Sequence, residues 1–157
     1  MRNTTRGAFA ALMFLMLIAV GQAQSSQHVM MAPADMKWGP APPGLPAGSQ
    51  ATVLSGDPGK AGPFVMSAKF PDAYTVPPHW HPTDENVVVV SGSLMLGMGD
   101  KFNEPGMKTI GAGGFALLPK DMRHSAKAKG ATQIVIYGTG PFQITYVDPK
   151  DDPRNKK

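Results

Sequence analysis

The sequence predicts an all-β domain, and two features of the chain indicate this. It contains 18 glycines and 16 prolines among 157 residues, so turn signals recur throughout. Outside the N-terminus, no long stretch places apolar residues at helical spacing. With 42% hydrophobic and only 17% charged residues, the composition is that of a globular protein and argues against a disordered chain. One domain built from short strands is therefore expected.

Residues 1–23 are predicted to be a signal peptide. Arg2 and Arg6 give a basic start, residues 8–20 are almost entirely apolar, and residues 21–23 supply small side chains at a plausible cleavage point. A membrane anchor is the alternative, but the apolar run is shorter than the roughly 20 residues that span a bilayer. We therefore expect an exported protein, periplasmic or secreted, with no stable membrane span after the signal is removed.

Residues 24–50 are predicted to form a Pro/Gly-rich N-terminal arm. A segment of this composition cannot be helical, and it is either a flexible linker or an extended strap on the domain. Trp38 favours at least partial docking, because a bulky apolar side chain gains from burial. The sequence leaves both alternatives open.

Residues 51–147 read as a succession of short strands separated by turn signals. Ser91 and Gly92 are interpreted as the turn of a hairpin that joins residues 87–90 to residues 93–98. Nine or ten such strands favour a sandwich or a barrel, and a jelly roll suits the count. Residues 148–157 form a charged tail that is expected to be disordered.

The composition also limits the chemistry. The chain has no cysteine, which excludes thiol mechanisms and cysteine-ligated metal sites. The net charge of +4 includes two arginines of the predicted signal peptide, and Lys127 and Lys129, which alternate on a predicted strand, have no aromatic side chain between them. This pattern does not indicate a nucleic-acid partner.

Histidine and glutamate are scarce, yet they cluster in two segments. His79 and His81 lie two apart on a predicted strand and therefore point to the same face, and Glu85 follows across a bend at Pro82. His124 starts a later strand that a barrel would bring beside the first. Three imidazoles and one carboxylate suit one divalent transition metal, namely Mn, Fe, Co, Ni, Cu or Zn. The fourth histidine of the chain, His28, lies near the mature N-terminus and is expected to be exposed.

These spacings resemble the two motifs of the cupin superfamily. The first motif has His-x-His, three residues, Glu, six residues and Gly, and the second has Gly, five residues, Pro-x-Gly, two residues and His. The matching residues here are His79, His81, Glu85, Gly92, Gly113, Pro119 and His124. The resemblance implies an RmlC-like jelly-roll barrel over residues 51–147, with a metal held by three His and one Glu. Ala73 and Asp121 stand where the motifs usually have glycine. Cupins are often dimers, so a homodimer is an open expectation.

Four protein ligands would leave one or two coordination positions for substrate or O₂. Strand alternation predicts an apolar pocket around them, lined by Phe64, Met66, Phe70, Met95, Met122, Ile134, Ile136, Phe142 and Ile144. No second acid or base is evident near Glu85, and Tyr74, Tyr137 and Tyr146 are weak candidates. The sequence thus predicts a metal-dependent oxygenase-type enzyme that acts on a small organic substrate, with no catalytic residue assigned. The alternative is a non-catalytic protein that binds a metal or small ligand, such as a sensor or carrier.

Overall fold

The computed structural model describes residues 28–156, which contain a single curled antiparallel sheet of nine strands. The all-β prediction is therefore confirmed. The predicted signal peptide, residues 1–23, lies outside the described residues. Within residues 28–156, no helix has the length and apolar character needed to cross a membrane.

The strands follow one another with short connections. They are β1 (Gly39–Pro40), β2 (Gln50–Ser55), β3 (Gly62–Phe70), β4 (Thr75–Trp80), β5 (Glu85–Met98), β6 (Lys108–Gly111), β7 (Phe115–Leu118), β8 (His124–Gly140) and β9 (Thr145–Tyr146). Three single-turn 3-10 helices lie at Pro33–Asp35, Glu104–Gly106 and Pro153–Asn155.

The long strand β8 organises the sheet. The strand order is β1-β2-β3-β8-β4-β9, and β8 also pairs along its length with β5, which carries β6 and β7 on its other edge. Both β5 and β8 are long, and each pairs with different strands along its two halves. The inner face therefore closes around one core, to which β3, β5 and β8 contribute most of the buried side chains.

The expected hairpin at Ser91 and Gly92 is wrong, because residues 85–98 form one continuous strand, β5. The pairing with β8 shifts register on both sides of Ser91, which marks a bulge in place of a turn. Gly92 has a φ of +74°, and a Cβ at this position would collide with the carbonyl oxygen of Ala131. Glycine thus lets β5 bend while staying close to β8.

The arm docks onto the sheet over its described part. β1 pairs with β2, with Gly39 opposite Ala51. The half-buried Trp38 ring lies under the Lys69 ammonium, 3.9 Å from nitrogen to ring centroid, a cation–π contact. Of the two alternatives for this segment, the structure thus has the docked one.

The C-terminal tail also differs from the expectation of disorder. The Arg154 guanidinium donates to the carbonyl oxygen of Ile144 at 2.9 Å and to both carboxylate oxygens of Asp152. These contacts fold residues 148–156 back toward the arm side of the barrel, where Arg154 also approaches Gly44.

Candidate metal centre

Three elements bring the sequence-predicted ligands together. His79 on β4 lies directly opposite His124 at the start of β8, while His81 follows β4 and Glu85 begins β5. All four side chains are buried, and their donor atoms lie within 4.8 Å of one another. We call these four residues the His/Glu cluster. Among residues 28–156 they form the one group of three or more potential ligands that could hold a metal ion.

Backbone carbonyls fix the orientation of each imidazole. The Nδ1 atoms of His79, His81 and His124 lie 2.7, 2.7 and 2.9 Å from the carbonyl oxygens of Pro77, Gln143 and Met122, respectively. Because a carbonyl oxygen can only accept, Nδ1 carries the proton in each ring. The Nε2 lone pairs are therefore left free to bind a metal, in the tautomer that such carbonyl contacts impose on metal-binding histidines.

The Glu85 carboxylate faces those lone pairs. Its Oε2 atom lies 3.4 Å from Nε2 of His81 and 3.3 Å from Nε2 of His124. Within the described residues, Glu85 Oε2 and His81 Nε2 are buried and have no hydrogen-bond partner. Burying such atoms without a partner costs on the order of 1–3 kcal/mol each.

A metal ion would remove that cost. Donor atoms about 2.1 Å from a common ion lie roughly 3.0–3.4 Å apart when they subtend octahedral or tetrahedral angles. The Glu85 distances fall in this range. The residues present therefore fit a divalent transition metal, and the nitrogen and oxygen donors match the set predicted from the sequence.

The protonation states agree with metal binding. Burial lowers the pKa of His79 to about 3, with the neighbouring histidines acting in the same direction, and burial also lowers the pKa of His81. Burial acts to raise the pKa of the Glu85 carboxyl, but the histidines around it, His124 first, hold it below its usual range. At neutral pH His79 and His81 are therefore neutral imidazoles and Glu85 is a carboxylate, the forms in which these side chains bind metals.

An aromatic side chain completes the wall beside the cluster. The ring of Phe142 stacks on His81, with ring centroids 4.2 Å apart and an interplanar angle of 14°. Phe142 thus limits rotation of the His81 ring and presents an apolar surface next to its free nitrogen.

The His/Glu cluster lies at one side of a cavity of about 100 Å³. Of the predicted lining residues, Met66, Phe70, Ile134, Ile136, Phe142 and Ile144 do line it. Further apolar side chains come from β4, β5, β7 and β8, namely Val76, Val87, Leu94, Leu96, Leu118 and Ala126. Apart from the His/Glu cluster, every lining residue is apolar.

Three predicted lining residues lie elsewhere. Phe64 is buried in the core behind the lining residue Phe142, with ring centroids 5.1 Å apart, and Met95 and Met122 do not line the cavity. The sequence also missed the contribution of the arm, whose residues Pro42 and Leu45 form part of the wall together with Gly44. An apolar leucine within a Pro/Gly-rich segment was the one signal that could have indicated this.

The other candidate acids and bases lie away from the cavity or already have partners. Tyr74 and Tyr146 donate their hydroxyl protons to carbonyl oxygens of the arm, and Tyr137 lies on the outer surface. Glu104 forms an ion pair with Lys127 at 2.6 Å. His28 is exposed, as expected.

Comparison with known proteins identifies the fold. No protein-family model matches the sequence, and no curated protein matches it. Many solved structures resemble it, including the following three, which cover most of its length. The polyketide cyclase RemF from Streptomyces resistomycificus has a TM-score of 0.65 and 19% identity, over 81% of this chain and 90% of that chain.

A protein from Methylibium petroleiphilum PM1 that is proposed to be an acetylacetone dioxygenase has a TM-score of 0.61 and 20% identity, over 83% of this chain and 88% of that chain. An RmlC-like cupin from Shewanella frigidimarina NCIMB 400 has a TM-score of 0.57 and 15% identity, over 73% and 91% of the two chains. Identities this low bear on the fold alone. The barrel of this chain, with its inward-facing histidines and glutamate, therefore has the cupin fold.

Proposed function

We propose that this protein is a metal-dependent oxygenase-type enzyme that acts on a small organic molecule bound inside the barrel. One observation carries the proposal: the free nitrogen and oxygen atoms of the His/Glu cluster face a cavity whose remaining walls are apolar. Metal-binding nitrogen and oxygen atoms held in place beside an apolar pocket would allow a substrate to bind directly to the metal.

A divalent transition metal at this site, Mn, Fe, Co, Ni, Cu or Zn, would supply a Lewis-acid or redox centre with one or two positions for substrate or O₂. The chain supplies the rest. The carbonyl contacts hold the imidazole rings in place, Glu85 contributes the negative charge, and the apolar walls exclude water from the reacting atoms.

The lining limits the class of substrate. No lysine or arginine lines the cavity in the described part of the chain, so a free carboxylate or phosphate would have no cationic partner other than the metal. A compound with one oxygen-bearing edge and an otherwise apolar body fits this environment. Enols, phenols and diketones are the proposed substrate classes.

Two structural neighbours support a small organic substrate, and the name of one of them also supports chemistry with O₂. RemF is described as a polyketide cyclase, and the Methylibium petroleiphilum protein is proposed to be an acetylacetone dioxygenase. Both names refer to chemistry on oxygen-bearing organic molecules, and the fold is compatible with it.

The alternative is a non-catalytic protein that binds a metal or small ligand, such as a sensor or carrier. One observation favours it: among residues 28–156, no acid or base besides the His/Glu cluster lines the cavity. Under this alternative, ligands would bind at the metal and be released unchanged.

The proposal also includes export, with residues 1–23 as the signal peptide, and leaves room for a homodimer. Cell fractionation of the full-length chain tests the first, and size-exclusion chromatography with light scattering tests the second. A full-length chain that stays in the cytoplasm would contradict export.

Elemental analysis combined with O₂ uptake separates the two functions. We expect one metal per chain and metal-dependent O₂ uptake with at least one enol, phenol or diketone, lost in His81→Ala and retained in His28→Ala. The second variant is a matched control, because His28 is exposed. Metal-loaded protein that binds these compounds without consuming O₂ or changing them would support the binding protein and refute the oxygenase.

A further inference from the structure

We propose that residues 41–47, which we call the strap, form the size filter of the cavity, and that Tyr74 and Tyr146 are specificity-determining residues because they hold the strap in place. This inference rests on the proposed function, since it concerns which molecules can enter that site. The strap connects β1 to β2 and crosses the barrel at the side where Phe142 and Ile144 line the cavity.

The strap is a wall of the cavity that lacks the support of a strand ladder. Pro42, Gly44 and Leu45 line the cavity, with Gly44 buried and Leu45 half-buried against the core. Its own backbone bonds run from Leu45 N to the Pro42 oxygen and, at its start, from Ala41 N to the Ser49 oxygen. The three prolines of the strap have no N–H to donate. Its position therefore depends on a small number of side-chain contacts.

Two buried tyrosines provide those contacts. The Tyr146 hydroxyl donates to the Gly44 carbonyl oxygen at 2.8 Å, and the Tyr74 hydroxyl donates to the carbonyl oxygen of Pro46. Ser49 Oγ lies 2.9 Å from the Tyr74 oxygen and ties the end of the strap to the same hydroxyl. Both rings are anchored in the core, so the two hydroxyls fix the strap to the rigid barrel.

One of the tyrosines also joins the strap to the metal centre. Tyr146 on β9 is the strand partner of His79 on β4, and their ring centroids are 5.9 Å apart. The same residue thus packs beside a proposed ligand and donates a hydrogen bond to the strap. We expect movement of the strap to open the cavity without displacing the His/Glu cluster, because the carbonyl groups that orient the three imidazoles belong to Pro77, Gln143 and Met122, which lie outside the strap.

At Gly44 the strap approaches the barrel more closely than a residue with a side chain could. A Cβ on Gly44 would lie 2.6 Å from Cγ2 of Ile144, well inside van der Waals contact. Glycine therefore allows the backbone to approach the cavity wall at this point. The fit indicates a closed position that keeps the cavity small.

The volume of the cavity sets a size limit on what it can hold with the strap in this position. Its volume of about 100 Å³ is smaller than the roughly 150 Å³ of an engineered apolar cavity that holds benzene. Benzene is therefore already at the upper size limit of the cavity and enters only with some adjustment of the lining side chains. A longer molecule requires the strap to lift, which breaks the Tyr74 and Tyr146 hydrogen bonds.

The test compares ligand size selectivity in Tyr74→Phe, Tyr146→Phe and the double variant, with Tyr137→Phe as the matched control. Each change removes one hydroxyl and keeps the ring, and Tyr137 lies on the outer surface away from the strap. Metal-free protein is titrated with benzene and with n-butylbenzene, and binding is followed by NMR chemical shifts. The metal-free form is used because neither turnover nor metal binding then enters the result.

We expect the wild type and Tyr137→Phe to bind benzene at least tenfold more tightly than n-butylbenzene. A net contribution of about 1 kcal/mol per hydrogen bond corresponds to roughly fivefold in affinity. Each single variant should therefore lower the ratio of the benzene affinity to the n-butylbenzene affinity about fivefold, and the double variant should show almost no preference for benzene. Amide hydrogen exchange at Leu45 should accelerate by similar factors in the variants. If the double variant does not fold, the two single variants carry the test.

An unchanged ratio in both single variants would overturn the proposal, as would an equal change in Tyr137→Phe or a wild type that does not discriminate between the two probes. These results are independent of metal content and O₂ uptake. A failed oxygenase assay therefore leaves the size filter standing, and a failed size filter leaves the metal centre standing.

Discussion

Without its metal, the barrel should lose stability as the pH falls below about 6.5, before most exposed carboxylates titrate. The cause is the buried His79, whose pKa is about 3 in the folded chain against 6.5 for an ordinary histidine. Between these values the unfolded chain binds a proton that the folded chain does not. Stability then decreases with decreasing pH, because protons favour the state that binds more of them.

The size of this loss of stability follows from how far the pH lies below the ordinary pKa of histidine. One pKa unit corresponds to 1.36 kcal/mol, and pH 5 lies 1.5 units below the ordinary histidine value, so His79 alone should remove about 2 kcal/mol between pH 8 and pH 5. His81 acts in the same direction, since its pKa is also lowered. The lowered pKa of Glu85 adds a loss only below about pH 4.5. A loss of 2 kcal/mol is large against a typical domain stability of about 5–15 kcal/mol.

Urea unfolding of metal-free protein at pH 8, 7, 6 and 5, followed by tryptophan fluorescence and circular dichroism, measures this loss. His79→Gln should reduce the loss between pH 8 and pH 5 by about 2 kcal/mol, whereas His28→Gln should leave it unchanged because His28 is exposed. A free energy of unfolding that does not change from pH 8 to pH 5, or an unaltered pH dependence in His79→Gln, would refute a role for His79 in this loss.

Three further predictions concern the backbone and the metal. Ala73→Gly should raise the free energy of unfolding in urea by about 1 kcal/mol. Ala73 has a φ of +60°, which costs a non-glycine residue about 1–2 kcal/mol, and the greater entropy of the unfolded glycine chain offsets only part of that gain. A lower free energy of unfolding would contradict this. Gly92→Ala should cost about 3 kcal/mol in the same assay, since its Cβ would collide with Ala131, and an unchanged midpoint would be the contrary result. Protein matured in the periplasm should carry Cu or Zn, because protein sites generally bind these ions more tightly than Mn or Fe. Protein made in the cytoplasm should carry more Mn or Fe. Identical metal content in the two preparations would count against this.

The candidate ligands could be predicted from the sequence because they depend on local spacing. His79 and His81 share a face through strand alternation, and the chain has so few histidines and glutamates that their clustering is informative. The structure adds what spacing cannot supply: the pairing of His79 with His124 and the backbone carbonyls that leave each Nε2 free.

The lining of the cavity was predicted only where strands are regular. Met95 was placed inside, but the bulge at Ser91 changes which alternate residues of β5 face the core, from Val87 and Val89 before it to Leu94 and Leu96 after it. A glycine at positive φ serves equally for a hairpin turn and for a bulge, so Gly92 alone could not decide between them.

The strap was not predicted as a cavity wall, because a Pro/Gly-rich segment has no hydrophobic period from which to infer a buried face. Its position depends on hydrogen bonds from Tyr74 and Tyr146, residues distant in sequence. Contacts of this kind follow from the tertiary fold and leave no local signal. The order of the C-terminal tail was not predicted for the same reason, because it depends on the hydrogen bond from Arg154 to the carbonyl oxygen of Ile144.

The most direct test of the central claim is the metal content per chain of the wild type, His81→Ala and His28→Ala, measured by elemental analysis after removal of loosely bound ions. We expect about one transition metal ion per chain in the wild type and in His28→Ala, and almost none in His81→Ala. Circular dichroism should show that His81→Ala keeps the barrel. Full metal occupancy in a folded His81→Ala, or a wild type without metal after refolding with an excess of each candidate ion, would contradict the account.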